Sequence, residues 1–432
     1  MMKSTRTIIL IWLAWALIVI GFQSLATARI VPQFPDRAQE WTEEFVDEPN
    51  YEDGHIYLLE PFMNNQVAFD SEYYLAIAIG GYDNPYSPHR TPTGTVTGTP
   101  ENPIPPESDF SKSIALNYAF FPFYPLMIRI FSYPLLIFGL NTIATATLAG
   151  VIVSALGALA GMLALYDLTR DLLGEDGALR ASFYLIIFPT GFFLTQVYTE
   201  GLFVGLAFGC LAMVKRNNWV AAAILGMCAT LTRAVGITLI VPMLIVWIRT
   251  LEWMDLDLEW RQIFHQGIPL RPFYKAILAF SPLFVFLIWK FSRLGLAFDF
   301  IEANFFGRVL LDLGYAYATW SDAFRTMMAG TNPQHTAYYI TEFLGLIIGV
   351  VTCYLCVKKS PELGWFSILV FLISWGSGPA QGIHRYILAA PAVFIILADW
   401  GKNPAFDRAW TILSIVLMGF LSMLYAFNMW VA

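Results

Sequence analysis

The chain has 432 residues, of which 57% are hydrophobic and only 13% are charged, and its formal net charge is −7. Soluble globular domains carry about 25% charged residues, so this composition excludes an ordinary water-soluble fold. The sequence predicts an all-α protein that crosses a membrane many times.

Apolar stretches that can span a bilayer, or nearly so, recur along the chain, and a bilayer core needs about 20 apolar residues as helix. They start at Ile8, Asn141, Leu179, Glu200, Trp219, Ala276, Ala337, Gly364, Tyr386 and Ala409. We expect one integral membrane domain over 1–432 with about ten or eleven transmembrane helices. The first stretch is long for a signal peptide, which favours an uncleaved anchor over a cleaved signal.

The distribution of Lys and Arg predicts the orientation, because cytoplasmic loops are enriched in both. Basic residues cluster in short loops around Arg170, Lys215, Arg249, Lys359 and Lys402, which we place with the N-terminus in the cytoplasm. The segment 28–117 instead holds fifteen Asp or Glu against four Lys or Arg. It is expected to be a large first extracytoplasmic loop, with an acidic part and a Pro/Thr/Gly-rich part. The sequence has no Asn-x-Ser/Thr sequon, which favours a bacterial plasma membrane.

The next piece, "YAFFPFYPLMIRIFSYPLLIFGL", is apolar but holds Pro122, Pro125, Arg129 and Pro134. Three prolines and a charge are unfavourable in a simple span. We expect an interfacial or re-entrant element before a true span that starts near Thr142. Two tightly linked crossings are the alternative.

Several ionisable residues interrupt apolar sequence at what we predict to be the outer side. They are Asp70, Glu72, Arg129, Glu200, Arg308, His384 and Arg385, with Arg233 as a further candidate. Ionisable groups at membrane depth are costly and usually face a working cavity. A carboxylate can take a proton from an attacking hydroxyl, while Arg and His can hold a phosphate leaving group. Glu72 points away from Asp70 on a helix, so these two acids are not expected to act as a pair.

Six segments in order resemble PIG-V-like proteins, the GPI mannosyltransferase II family and its bacterial relatives, within the GT-C superfamily of membrane glycosyltransferases. They are "FDSEYYLAIAIGGY", "YAFFPFYPLMIR", "FPTGFFLTQVYTEGLF", "LTRAVGITLIVP", "LAFDFIEANFFGR" and "HRYILAAPAVFI". The resemblance covers nearly the whole chain after Phe69. Phe69 replaces the tryptophan of the family's Trp-Asp, and Thr199 replaces the serine of its Tyr-Ser-Glu-like motif.

The resemblance implies a GT-C-like bundle that transfers a hexose, with mannose favoured, from a polyprenyl- or dolichyl-phosphate donor. The acceptor would be a hydroxyl of a glycolipid, glycan or protein on the extracytoplasmic side, and no nucleic acid would be involved. Asp70 would be the general base and Glu200 a second catalytic acid. The residues expected to bind substrate are Tyr73, Tyr74, Arg129, Arg233, Arg308, His384, Arg385 and Tyr386.

Two alternatives stay open at the level of sequence. Tyr73 and Tyr74 fit an interfacial aromatic belt as well as a sugar platform. A polytopic transporter or a flippase for lipid-linked sugars would use the same buried charges. No metal or other cofactor is expected, because the five histidines are scattered and a lipid phosphate is already a good leaving group.

Overall fold

The computed structural model describes residues 2–32, 36–39, 42, 55–90, 114–252 and 270–431. Apart from residue 42, the acidic stretch 40–54 lies outside the described residues, as does most of the Pro/Thr/Gly-rich stretch. The helices are α1 (Met2–Arg29), α2 (Ser71–Gly80), α3 (Phe123–Leu135), α4 (Thr142–Ile187), α5 (Glu200–Lys215), α6 (Trp219–Thr230), α7 (Ile240–Glu252), α8 (Leu270–Ala279), α9 (Ser281–Lys290), α10 (Arg293–Phe305), α11 (Leu313–Ala329), α12 (Pro333–Lys359), α13 (Pro361–Gly376), α14 (Ile383–Tyr386), α15 (Pro391–Trp400) and α16 (Pro404–Ala426).

Within this described part, five helices are long and apolar enough to cross a membrane. A sixth candidate span is the pair Ile383–Ala389 and Pro391–Trp400, which is bent by 86°. Four shorter apolar helices of 10 to 17 residues accompany them. The predicted all-α, multi-pass architecture is confirmed, whereas the number of crossings stays a prediction. A two-stranded antiparallel ladder joins β1 (His89–Arg90) to β2 (Ile114–Ala115) in the segment after α2.

Helix α4 is a helical hairpin rather than one straight rod. Gly174 interrupts it with φ 74° and ψ 177°, a conformation that a residue without a Cβ adopts easily. The Ser182 hydroxyl donates to the Met162 carbonyl at 2.9 Å. In a continuous helix these residues would lie about 30 Å apart. The chain therefore reverses at Gly174, within the basic loop that the sequence predicts between two spans.

One end of the bundle, the basic end, collects the charged loops that the sequence predicts to be cytoplasmic. Helix α1 starts there, because Ser4 donates to Glu175 near the Gly174 turn. The ion pairs at this end include Arg216 with Asp167, Lys215 with Asp171, Arg180 with Asp407, Arg249 with Glu362, and Lys359 and Lys402 with Asp399. The charged side chains of these pairs therefore neutralise one another locally.

The opposite end, the site end, begins about 28 Å further along α1, where Gln23 is fully buried. Gln66 and Gln196 both donate to the Gln23 side-chain oxygen at 3.2 Å. Gln23 in turn donates to the Ser422 carbonyl at 3.2 Å. Buried amides satisfy one another in this way at low cost. The network fixes the chain four residues before Asp70 and four residues before Glu200.

Helix α3 does not run between the two ends. Its first residue, Phe123, donates to the Leu231 carbonyl at the site end. Asn141, three residues beyond the short 3₁₀ turn at Leu136–Phe138, donates to Glu60 at 2.7 Å, also at the site end. Tyr133 and Ile137 are exposed, by 67% and 83%. An apolar helix with both ends at one level is typical of an interfacial element.

Close helix packing brings α5 against α4 and thereby fixes Glu200. A Cβ on Gly205 would lie 2.5 Å from the Gly157 carbonyl oxygen, and one on Gly201 would meet Ser154. Small residues let two helix backbones approach in this way inside a membrane. Glu200, the first residue of α5, is thus held at a defined position against α4.

Candidate active site

Asp70 lies immediately before α2, and its side chain is 30% exposed. Phe69 precedes it with φ 47°, an unfavourable conformation for a bulky residue. The Phe69 ring packs edge-on against Trp430, with centroids 5.1 Å apart, and the Asp70 amide donates to the Tyr198 hydroxyl at 3.2 Å. Strain of this kind persists only where the surroundings enforce it, and it concentrates at working sites.

The electrostatic surroundings of Asp70 act in two directions. Burial raises the pKa of the Asp70 carboxyl above its ordinary value, and the Glu200 carboxylate adds to this increase. The guanidiniums of Arg385, Arg308 and Arg233 oppose it by stabilising the carboxylate. Arg385 is the largest of these three, and its Nη1 lies 3.7 Å from Asp70 Oδ2.

Glu200 is 3% exposed and lies between two arginines. Arg233 forms an ion pair with Glu200 Oε1 and also donates to the Thr199 hydroxyl at 3.3 Å. Arg385 Nε lies 3.4 Å from the same Glu200 oxygen. Because a buried carboxylate needs compensation, the two guanidiniums are held together at this one oxygen.

The ring of Tyr386 lies among three guanidiniums. The central guanidinium carbons of Arg233, Arg385 and Arg308 lie 4.9, 5.3 and 5.9 Å from the ring centroid. Stacking on the electron-rich face of an aromatic ring compensates part of the mutual repulsion between cations. We call these three arginines together with Tyr386 the arginine cluster.

Arg308 differs from the other two members. Among the described residues, its guanidinium forms no ion pair and no hydrogen bond. Its backbone amide donates to the Glu302 carbonyl at 2.8 Å, where α10 ends. Burial raises the pKa of the Glu302 carboxyl to about 7, with Arg308 opposing and the Asp70 charge adding to the increase. Glu302 is therefore an additional acid close to both Asp70 and Arg308.

Polar atoms in the cluster retain unused hydrogen-bonding capacity. Glu200 Oε2 and Arg385 Nε are buried without a hydrogen-bond partner in the part of the chain that the structure describes. Buried polar atoms normally have partners, so these two atoms have hydrogen-bonding capacity available for a ligand. Three guanidiniums can bind an oxyanion. The partly exposed Asp70 carboxylate beside them can accept a proton from a neighbouring hydroxyl.

Three other charged residues that the sequence analysis grouped with this site lie elsewhere. Glu72 points away, as predicted, and both of its carboxylate oxygens lie 2.8 Å from His55 Nδ1. Arg129 donates to the Ala78 carbonyl at 2.6 Å and to two neighbouring carbonyls at the end of α2. Carbonyls left open at a helix end attract a cation, which explains this position.

His384 is also turned away from the arginine cluster. Its Nε2 donates to the Val431 carbonyl at 2.5 Å, and its Nδ1 lies 3.2 Å from Glu342 Oε1. Its neighbours Arg385 and Tyr386 point into the cluster. The short helix α14 thus sends successive side chains in different directions, and only two of the three His-Arg-Tyr residues reach the site.

The two tyrosines of α2 have different surroundings. Tyr73 stacks on Phe120 with centroids 4.7 Å apart, and it is half-buried. Tyr74 is 6% exposed and packs edge-on against Phe120, Tyr124 and Tyr198. Tyr74 therefore belongs to the buried aromatic packing next to Asp70. Of the two tyrosines, only Tyr73 is partly accessible.

Sequence reasoning did not single out Glu302, Glu342 or Tyr198. Glu302 stands inside the apolar motif "FDFIEANFF", so its interruption of apolar sequence was an available signal. Glu342 in α12 gave the same signal. In the described ranges no group of three or more His, Cys, Asp or Glu residues is placed to hold a metal ion.

No protein-family model matches this chain, and a search of curated proteins found no match. Among solved structures, ArnT from Cupriavidus metallidurans bound to undecaprenyl phosphate is 16% identical, with a TM-score of 0.39. That match covers 72% of this chain and 61% of ArnT.

Two further matches are structures of an archaeal oligosaccharyltransferase from Archaeoglobus fulgidus. The complex with Zn and sulfate is 15% identical, with a TM-score of 0.44, and the match covers 96% of this chain and 53% of that one. AglB in complex with an inhibitory peptide and a dolichol-phosphate is 14% identical, with a TM-score of 0.40 and coverage of 95% and 56%.

The chain thus spans between about half and three fifths of the solved chains that it matches. Similarity at this level carries no argument about chemistry, so the function is inferred from the side chains of the site. The PIG-V-like family stays a prediction from the sequence.

Proposed function

We propose that the protein is a GT-C-type membrane glycosyltransferase of the PIG-V-like kind. It transfers a hexose, with mannose favoured, from a polyprenyl- or dolichyl-phosphate donor to a hydroxyl of a glycolipid, glycan or protein. The observation that carries the proposal is the placement of Asp70 within 3.7 Å of Arg385, beside two further arginines. One site therefore offers both a proton acceptor and a receptor for a phosphate.

In the proposed reaction the acceptor hydroxyl loses its proton to an Asp70 carboxylate oxygen while its own oxygen bonds to the anomeric carbon of the sugar. The bond between that carbon and the phosphate oxygen breaks, and its electron pair stays on the phosphate. The lipid phosphate thereby changes from a singly charged diester to a monoester that carries more negative charge. Guanidiniums already in place stabilise this charge as it develops.

The individual roles follow from the contacts. Arg385, Arg233 and Arg308 bind the phosphate, and the Arg308 guanidinium, which stacks on Tyr386, forms no ion pair or hydrogen bond among the described residues. Glu200 serves the reaction by holding Arg233 and Arg385 together rather than by transferring a proton.

Tyr386 supports the three arginines, and Tyr73 lies where a sugar ring can stack. Arg129 and His384 have structural partners and are proposed to position the site rather than to touch the substrate.

We propose an extracytoplasmic active site, because the basic end fits the cytoplasmic side. Nucleotide-sugar donors are normally absent on the outer side, which is consistent with a sugar carried on a lipid phosphate. No step of the proposed reaction is assigned to a metal or other cofactor.

The test is a transfer assay with the purified protein in lipid nanodiscs. Polyprenyl-phosphate mannose and polyprenyl-phosphate glucose, each labelled in the sugar, are mixed with a lipid extract from the source organism. We expect label to move from the mannose donor into a new glycolipid or glycan, with slower transfer from glucose. Absence of transfer, together with accelerated donor movement across the bilayer when the same protein is reconstituted in sealed vesicles, would instead support a flippase.

A further inference from the structure

One fully buried acid, Glu342, binds the backbone of the segment that carries Arg385. Glu342 in α12 has an exposed fraction of 0%. Its carboxylate accepts hydrogen bonds from the backbone amides of Gly382 and Ile383, the latter at 2.8 Å, and from the Tyr338 hydroxyl at 2.6 Å. A longer contact of 3.4 Å comes from the His384 amide. Glu342 therefore binds the beginning of α14, immediately before Arg385.

His384 reinforces this attachment. Its imidazole lies between Glu342 and the Val431 carbonyl, so both ring nitrogens face acceptors. Its own carbonyl accepts from the Thr190 hydroxyl at 2.8 Å. The backbone of His384 is thus fixed on two sides while its side chain points away from the reaction site.

Close packing leaves this segment little freedom to shift. A Cβ on Gly345, three residues after Glu342, would lie 3.0 Å from His384 Cα. Gly382 has φ 81°, which favours glycine at the turn into α14. With the backbone held at Gly382–His384, the next residue, Arg385, projects toward Asp70 and Glu200.

We propose that Glu342 is the positioning residue for phosphate recognition, acting through His384 and the α14 backbone to hold Arg385 in its ligand-binding orientation. This inference rests on the proposed function, because Arg385 is taken there as a phosphate ligand. Glu342 itself does not contact the substrate. Its charge is used to organise backbone donors, and a buried acid in this role is costly to replace because several partners lose their acceptor together.

The test compares Glu342→Gln, Arg385→Ala and the double variant, with Asp167→Asn as the matched control. Like Glu342, Asp167 is a buried acid with a basic partner. Its partner is Arg216, at 2.8 Å, and the pair lies at the basic end. Two measurements are made on each purified protein. One is the binding of undecaprenyl phosphate, and the other is amide hydrogen exchange over peptides that include 382–386, without any ligand.

We expect Glu342→Gln to weaken undecaprenyl phosphate binding about tenfold and to accelerate exchange over 382–386, while Asp167→Asn changes neither. In the Arg385→Ala background, Glu342→Gln should weaken binding no further, because it acts through Arg385. An equal loss in both backgrounds, or unchanged exchange over 382–386, would overturn the proposal. Wild-type protein that does not bind the lipid phosphate would overturn the proposed donor site, while the exchange measurement would still decide whether Glu342 holds α14.

Discussion

Arg385 Nη1 lies 3.7 Å from Asp70 Oδ2, and Arg385 Nε lies 3.4 Å from Glu200 Oε1 on its other side. One guanidinium thus connects Asp70, the residue proposed as the base, with Glu200, the acid that contacts both Arg233 and Arg385. In the proposed reaction, charge on the phosphate and charge on Asp70 are therefore coupled through Arg385. Loss of either carboxylate should affect how the other group works.

Asp70→Asn should reduce sugar transfer on the order of a hundredfold to ten-thousandfold, because the amide keeps the shape but cannot accept the proton. The measurement is kcat/KM in the transfer assay with polyprenyl-phosphate mannose. Glu72→Gln is the matched control, since Glu72 lies two residues away and pairs with His55. If Glu72→Gln were inactive and Asp70→Asn active, the base would have been assigned to the wrong residue.

Arg385→Lys should lower kcat/KM about ten- to a hundredfold, because lysine keeps the charge but loses the planar pair of donors. Arg385→Gln should in addition move the acid limb of the pH profile to higher pH. Asp70 must be ionised to accept a proton, and Arg385 lowers the pKa of the Asp70 carboxyl. Removing the positive charge raises that pKa, whereas lysine retains the charge. Identical acid limbs in the Lys and Gln variants would contradict this coupling.

Glu302 should make both stability and donor binding depend on pH. The pKa of its carboxyl is raised from 4.5 to about 7, so the folded protein binds this proton more tightly than the unfolded chain does. The contribution of Glu302 to stability is therefore greatest below pH 4.5 and falls as the pH rises to about 7. Above that pH an additional negative charge beside Arg308 should also raise the KM for the donor.

The comparison is made with Glu302→Gln, which stays neutral at every pH. Between pH 4.5 and 7, the Tm of the variant should fall less than that of the wild type. Above pH 7, its KM for the donor should change less with pH. Parallel curves for the two proteins would show that Glu302 does not titrate in this range.

The orientation can be tested with single cysteines in intact cells. Tyr86→Cys, in the predicted outer segment, should react with an impermeant maleimide, while Lys402→Cys, at the basic end, should react only after the membrane is opened. Both side chains are accessible, with exposed fractions of 43% and 60%. The four native cysteines are buried or half-buried, so background labelling should be low. Labelling of Lys402→Cys alone from outside would invert the topology.

The sequence indicates the charged residues of this site well because apolar surroundings make each charge conspicuous. Asp70, Glu200, Arg233, Arg308 and Arg385 do lie at one end of the bundle. The same signal cannot tell a substrate ligand from a structural cation. Arg129 interrupts apolar sequence just as Arg385 does, yet it binds the open carbonyls at the end of α2. The difference depends on which helix end lies opposite, and that is set by tertiary packing.

Predictions from local patterns were limited in a second way. The stretch around Asp70 has a helical pattern, but the helix begins at Ser71, after the left-handed Phe69. His384 adjoins Arg385 in sequence and was expected to share its ligand. The tight turn at Gly382 and the buried Glu342 direct its side chain elsewhere. Such directions follow from contacts between distant segments, which no single motif contains.

The five charged groups of the site come from five separate stretches of chain, and the last of them, Arg385, follows the first, Asp70, by 315 residues. During synthesis Asp70 is inserted first and Arg233 and Arg308 follow. Arg385, which contacts both Asp70 and Glu200, comes much later. A nascent chain thus has no complete site until α14 has been synthesised and has packed against the earlier helices. An unfinished protein would therefore lack the proposed phosphate site.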